Sequence, residues 1–340
     1  MSIRQISLNQ FSGFNQSELS FSPGINVLIG VNGSSKSHLM KLIYSVWKTA
    51  ESHGKTQQRD FETHLKTKLA GVFKPENDEL RRLVRRAPGQ RKASVALCGD
   101  NHNISFNIST QSSLTLTQYQ VGGDSSTIFI PSREALAMYE GFVQAYQNRE
   151  LSFDETYFDL CMALSGSALK GPRGKDAAAL AGPLEEILGG KVRLEGNRFK
   201  VKLKSGDMEA HLLSEGLRKI ASLVHLISNG SLREQSVLFW DEPEANLNPR
   251  LVIQLVKTLV KLAERGVQII LASHDYLLTH ELSLLCEYEK SAVGMNFISL
   301  TPGEDGLTCS SGATLAELDN NPILDEFAAH YDREQLLFTE

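Results

Sequence analysis

The chain opens on an alternation of apolar and polar positions. Ile3, Ile6 and Leu8 set a strand rhythm, Phe11 and Phe14 flank Gly13, and Leu19 and Phe21 resume the pattern. Pro23-Gly24 forms a turn, and INVLI (25–29) is a short continuous apolar run of the kind a strand buried on both faces requires. A glycine-rich loop follows at once, and then HLMKLIYSVWKTA (38–50), whose apolar spacing predicts a helix. Residues 51–92 are polar and charged with helical stretches, 93–130 return to alternation, and STIFI (126–130) reads as a second buried strand ending at Pro131. Residues 134–170 are mostly helical, GPRGKDAAALAG (171–182) reads as a mobile connection, and 191–212 as a hairpin. A helix (214–228), strand VLFW (237–240), helix (249–265) and strand QIILA (268–272) complete the regular pattern before a mixed final region.

Strands that alternate with helices predict an α/β fold with a central, mostly parallel sheet. We expect one unit over 1–340. Its core comprises 1–50, 93–131 and 191–300, with a charged helical insertion at 51–92, a helical subdomain at 134–190 and a C-terminal segment at 301–340. Composition narrows the setting without choosing a function. The 340 residues are 41% hydrophobic, enough for a sizeable core. The net charge of -5 gives no global attraction to nucleic acid. Cys98, Cys161, Cys286 and Cys309 lie far apart without zinc spacing, which fits reduced thiols and a cytoplasmic location. No signal-peptide pattern or membrane-length apolar run is present, so no direct membrane insertion is expected.

The chemistry concentrates at the ends of the buried strands. GVNGSSKS (Gly30–Ser37) follows a strand and opens a helix, as the phosphate loop GxxxxGK[ST] does. Backbone N–H groups of Gly30, Asn32, Gly33, Ser34 and Ser35 surround a phosphate, Lys36 supplies a point charge to the β- and γ-phosphates, and the Ser37 hydroxyl is a magnesium ligand. One position departs: serine stands at 35, where the pattern has glycine. A negative φ there tolerates serine, and a positive one does not favour it.

VLFWDEPEANLNP (237–249) runs apolar residues straight into Asp241-Glu242. The first carboxylate suits a magnesium ion and the second the polarisation of an attacking water. LLSEGLRK (212–219) puts Ser214 and Gly216 at a helix start, where N–H groups and a hydroxyl hold a γ-phosphate; Ser214 also reads as a plain helix cap. QIILASHDY (268–276) places His274 after a buried strand, and Asn246-Leu247-Asn248 precede the Pro249 helix. Around STIFI, the strand-end polar groups Arg133 and Glu134 suit a contact to magnesium or the γ-phosphate better than Gln118 and Gln120.

In this order the segments resemble the cytosolic branch of ABC-type ATPases, the RecF and SMC proteins and the ATPases of bacterial defence systems. The opening (3–37) is similar to RecF-like heads. LSEGLRKIASL and LFWDEPEANLNP are similar to small Septu-type and related AAA-15/AAA-21 proteins. The resemblance spans 1–45 and 212–275. It implies an ABC-ATPase head with a central sheet carrying the P-loop, an antiparallel β subdomain and a helical insertion. It further implies ATP and Mg2+ as ligands, with Glu242 and His274 in catalysis. Ser214 and Gly216 then act on nucleotide held by a second head, in a homodimer or higher oligomer. A separate effector protein, a nuclease or a toxin, is also implied, since no nuclease motif follows His274. Alternatives are RecF-like DNA repair, a non-hydrolysing nucleotide-dependent scaffold, and a transporter subunit, whose signature is normally closer to LSGGQ. Arg81, Arg82, Arg85 and Arg86 cluster as phosphate contacts do, although a solvated face paired with the acidic PENDE (75–79) explains them as well.

Overall fold

The computed structural model describes residues 2–86, 91–123 and 126–339. The N-terminal half contains β1 (Ile3–Phe11), β2 (Phe14–Ser20), β3 (Ile25–Ile29), α1 (Lys36–His53), α2 (Gln58–Phe73), β4 (Lys92–Gly99), β5 (His102–Ser109), β6 (Leu114–Val121) and β7 (Thr127–Ile130). Next come α3 (Phe142–Gln147), α4 (Glu155–Leu164), α5 (Gly171–Leu188), β8 (Gly190–Glu195), β9 (Arg198–Leu203) and β10 (Gly206–Glu209). The remainder is α6 (Glu215–Ser228), β11 (Val237–Asp241), α7 (Pro249–Glu264), β12 (Gln268–Ser273), α8 (Tyr276–Glu287), β13 (Met295–Gly303), β14 (Gly306–Gly312) and α9 (Pro322–Thr339).

The central sheet has the order β14-β13-β3-β12-β11-β7, and every neighbour pair is parallel except β13 with the edge strand β14. The apolar runs at 25–29, 237–240 and 268–272 are three adjacent inner strands, buried on both faces as continuous apolar runs require. Alternation assigns their side chains to two cores. Val27, Ile130, Trp240 and Leu271 face the helices α3–α8, while Leu28, Phe129, Phe239 and Ile270 face α1. The second face is roofed by the antiparallel sheet β2-β1-β4-β5-β6, so α1 lies between two sheets with Leu39, Leu42, Ile43, Val46 and Trp47 fully buried.

Two expectations change. Residues 171–182 belong to α5 and are not a mobile connection. A proline in the first turn, a run of alanines and a left-handed Gly189 cap favour helix, and burial of Leu180, Ala181, Leu184 and Leu188 fixes it. The hairpin at 191–212 gains a third strand, β10, so the unit is a small sheet of order β10-β9-β8. The charged insertion holds α2 and two short 3-10 turns before β4 starts at Lys92.

Candidate nucleotide site

Parallel strands bring their C-terminal ends to one edge of the sheet. Register pairs Asp241 with Ala272, Ser273 with Ile29, and Trp240 with Ile130. The loops that begin at Gly30, Glu242, His274 and Pro131 therefore leave the sheet side by side, at the edge where open α/β sheets bind ligands.

The loop 30–35 leads into α1, and no side chain caps that helix start. Its first-turn N–H groups are the orphan donors an anion satisfies. Ser35 has φ 62 and ψ 19, a left-handed conformation. Of the two alternatives open at this position the structure takes the positive φ, so serine adopts the backbone that glycine takes without strain. Room comes from Gly13 in the β1–β2 turn, where a Cβ would lie 2.9 Å from the Ser35 hydroxyl and 3.0 Å from Leu307. The buried Ser34 Oγ has no hydrogen-bond partner among the described residues. Lys36 is 8% exposed and donates from Nζ to the carbonyls of Gly30 (2.6 Å) and Val31 (3.1 Å). Burial lowers its pKa, opposed by the carboxylates of Asp241, Glu242 and Glu244.

The Ser37 hydroxyl lies close enough to the Asp241 carboxylate to oppose the rise that burial gives its pKa, which sets the two candidate metal ligands side by side as hard oxygen donors. Burial raises the Asp241 pKa, and neighbouring Glu242 adds to the rise against Ser37, Lys41 and Lys36. Glu242 has φ 49, and its N–H donates to the Ala272 carbonyl at 2.9 Å. One of its carboxylate oxygens lies 3.6 Å from Nδ1 of His274. Asn32 and Gly33 are exposed on the loop. Glu244, to which sequence reading gave no role, accepts from Ser273 Oγ at 2.8 Å, and Ser273 Oγ in turn accepts from the Asp275 N–H at 3.0 Å. This chain fixes the strand end that carries His274. The second Glu244 oxygen is buried without a hydrogen-bond partner among the described residues, beside a cleft of about 430 Å³ that Glu242, His274, Tyr276 and Phe327 also line. Burial raises the Glu244 pKa too.

Ser214 occupies the cap position of α6 with extended backbone, yet makes no side-chain cap hydrogen bond. Its exposed hydroxyl is not consumed by the helix. Gly216 packs on the loop after β11: a Cβ there would lie 2.3 Å from the Asn246 carbonyl oxygen. Asn246 has φ 66, and Asn248 caps α7 by accepting from Leu251 N–H.

At the end of β7, Glu134 is taken up by the protein itself: it pairs with Arg218 of α6 at 2.7 Å and accepts from the Ala137 N–H. Arg133 is exposed there, while Gln118 and Gln120 sit on the far antiparallel sheet, in β6. Of the four arginines, Arg81 pairs with Glu79 and Arg82 with Glu76, within the acidic stretch before them. Arg85 rests near Gly306 and Arg86 is exposed, while residues 87–90 lie outside the described residues. All four cysteines are free thiols, and no helix among the described residues is long and apolar enough to cross a membrane.

Lys219 also escaped sequence reading. It is 1% exposed on α6 and donates to the Glu242 carbonyl at 3.1 Å. Its signal was a lysine on the apolar stripe between Gly216 and Leu223.

Residues 130–279 match the family described as "AAA domain, putative AbiEii toxin, Type IV TA system". A segment of 63 residues is 41% identical to the DNA replication and repair protein RecF of Cytophaga hutchinsonii, covering 18% of this chain and 17% of that protein. The fold is similar to the SMC head domain from Thermotoga maritima, with a TM-score of 0.50, 15% identity and 91% and 98% of the two chains covered. It is also similar to the Pyrococcus furiosus Smc head with an extended coiled coil, bound to the C-terminal domain of ScpA (TM-score 0.56, 11% identity, 98% and 99% covered). A SmcHead bound to the C-winged helix domain of ScpA aligns with a TM-score of 0.58 at 13% identity, over 93% and 98% of the chains. The α/β fold, with its mostly parallel central sheet, is thus that of these SMC head domains, and within it residues 130–279 match an AAA domain.

Proposed function

We propose that the chain binds ATP at the edge formed by Lys36, Ser37, Asp241, Glu242 and His274, and hydrolyses it when two heads meet. The observation that carries this reading is the convergence of a phosphate loop, a Ser37–Asp241 oxygen pair and a Glu242–His274 pair on one sheet edge. The uncapped start of α1 and the orphan Ser34 hydroxyl fit a triphosphate, and the hard oxygens of Ser37 and Asp241 fit Mg2+. Bound there, the metal neutralises charge that develops on the transferring phosphoryl group.

The chain's own residues do the rest. Loop N–H groups orient the β-phosphate, and Lys36 turns from the Gly30 and Val31 carbonyls to the β- and γ-oxygens. Glu242 aligns a water and accepts its proton, and His274 holds the γ-phosphate from the neighbouring strand. Ser214 and the first turn of α6 close over nucleotide held by a second head, because the hydroxyl and N–H groups there are unspent. Hydrolysis removes the shared phosphate and releases the pair. Left-handed Ser35 keeps the loop backbone that glycine would give, which favours a hydrolysing site over a pure scaffold. The toxin-system family matched at 130–279 supports a place in defence beside a separate effector polypeptide. Phosphate release by the wild type and by Glu242→Gln tests the chemistry: the wild type turns over with Mg2+, and the variant falls by on the order of 100-fold or more. Equal rates would refute hydrolysis at this edge.

A further inference from the structure

Two buried contacts tie the start of α6 to the segment that carries the candidate general base. Lys219 donates to the backbone carbonyl of Glu242 at 3.1 Å, and Gly216 lies against the carbonyl of Asn246 so closely that no Cβ fits. Lys219 is almost wholly excluded from solvent and sits among Glu244, Glu215, Glu242 and Asp241. Burying an ammonium is costly, and these carboxylates together with the Glu242 carbonyl offset that cost. The peptide it grips is unusual. Glu242 adopts φ 49, precedes Pro243 and is held from its other side by the Ala272 carbonyl. Its carbonyl also accepts from the Ala245 N–H at 3.2 Å, and these hydrogen bonds at both ends hold the strained backbone from which its carboxylate projects.

We infer that Lys219 is a positioning residue: through the Glu242 carbonyl it aims the water-activating carboxylate of its own head, and couples that aim to the seating of α6. The inference rests on the hydrolytic reading above. The geometry gives it a specific consequence. Ser214 lies five residues before Lys219, at the start of the same helix and roughly 7 Å along its axis, where the hydrolytic reading puts the nucleotide of the second head. A shift of α6 on engaging that nucleotide is transmitted by Lys219 and by the Gly216–Asn246 contact to Glu242 at the first head's own nucleotide. Each site thus senses whether the other is filled.

The test compares Lys219→Met, Lys219→Arg and Glu242→Gln as full-length proteins. Methionine fills a similar volume without a charge to bury, so it preserves folding, as the melting temperature checks. Lys219→Met is expected to lower kcat on the order of 10- to 100-fold while the Kd for MgATP stays within about twofold, the pattern of a misaligned group and not of a damaged pocket. Lys219→Arg, which keeps a donor, restores kcat to within about fivefold of the wild type. A kcat for Lys219→Met within about twofold of the wild type overturns the inference, and so does a loss of ATP affinity that matches the loss of rate or an arginine variant no better than methionine. Glu242→Gln separates the two levels: if it is as fast as the wild type, the hydrolytic reading itself fails and this role goes with it.

Discussion

At the scale of single residues, two of the chain's left-handed non-glycine positions lie where the chemistry is proposed. Ser35 holds that backbone in the candidate phosphate loop and Glu242 holds it beside the candidate metal ligand Asp241. Ser35→Gly removes the first strain but frees the unfolded chain, so the expected gain is at most about 1 kcal/mol in a urea titration. Gly13→Ala pushes a Cβ toward the Ser35 hydroxyl and Leu307, and should cost about 1–2 kcal/mol. In the Ser35→Gly background that cost should shrink by at least about 0.5 kcal/mol, a coupling the double-mutant cycle measures directly. An additive cycle would deny that Gly13 exists to admit Ser35. Asp241 gives a pH signature. Its pKa is raised by burial first, so the folded protein binds that proton more tightly than the unfolded chain does, and the ionised form costs stability at neutral pH. Asp241→Asn should therefore be more stable than the wild type at pH 7, with the advantage fading as pH falls through the raised value toward the ordinary 3.8. A stability difference independent of pH over that range would contradict the assignment. Loop, acidic pair and histidine were legible in the sequence because each follows a buried strand. Ser35's φ and Glu244 were not, since a backbone angle leaves no mark on residue type and Glu244 follows the acidic pair like any loop carboxylate, whereas Lys219 left only the faint mark of a charge on the apolar stripe of α6.

At the scale of elements, α6 is the piece on which the account turns. Its exposed start carries an unspent serine, its buried face carries Lys219, and Arg218 ties it to Glu134 after β7. Gly216→Ala drives a methyl into the Asn246 carbonyl, and backbone cannot yield as a side chain does. The variant should lose about 1–3 kcal/mol of stability and most of its ATPase rate. A variant with full activity and unchanged melting would show that α6 and the loop after β11 are not rigidly joined. The inner strands were readable as continuous apolar runs, and α6 and α7 as periodic stripes. The segment 171–182 was misread because glycine and proline at its start suggested a break, whereas tertiary burial of the leucines downstream made it one helix. The third strand β10 escaped because Gly206–Glu209 has almost no apolar residue to signal it.

At the scale of the molecule, two sheets enclose α1, so the phosphate loop is braced from both sides. Lys41 of α1 pairs with Asp154 at 2.7 Å, and Tyr44 donates to Asp159, so α4 holds the same helix from its flank. Among the described residues nothing comparable covers the start of α6, where Ser214 and Leu212 are exposed. A braced phosphate-loop edge and an open N-terminus of α6 suit the proposed pairing of heads around ATP. Sedimentation of Glu242→Gln at micromolar concentration, with and without MgATP, tests this most directly. The account predicts monomers without nucleotide and a stable pair or larger assembly with it, and a return to ATP-bound monomers when Ser214→Arg is added. A Glu242→Gln protein that binds MgATP yet stays monomeric at every concentration of nucleotide would contradict it.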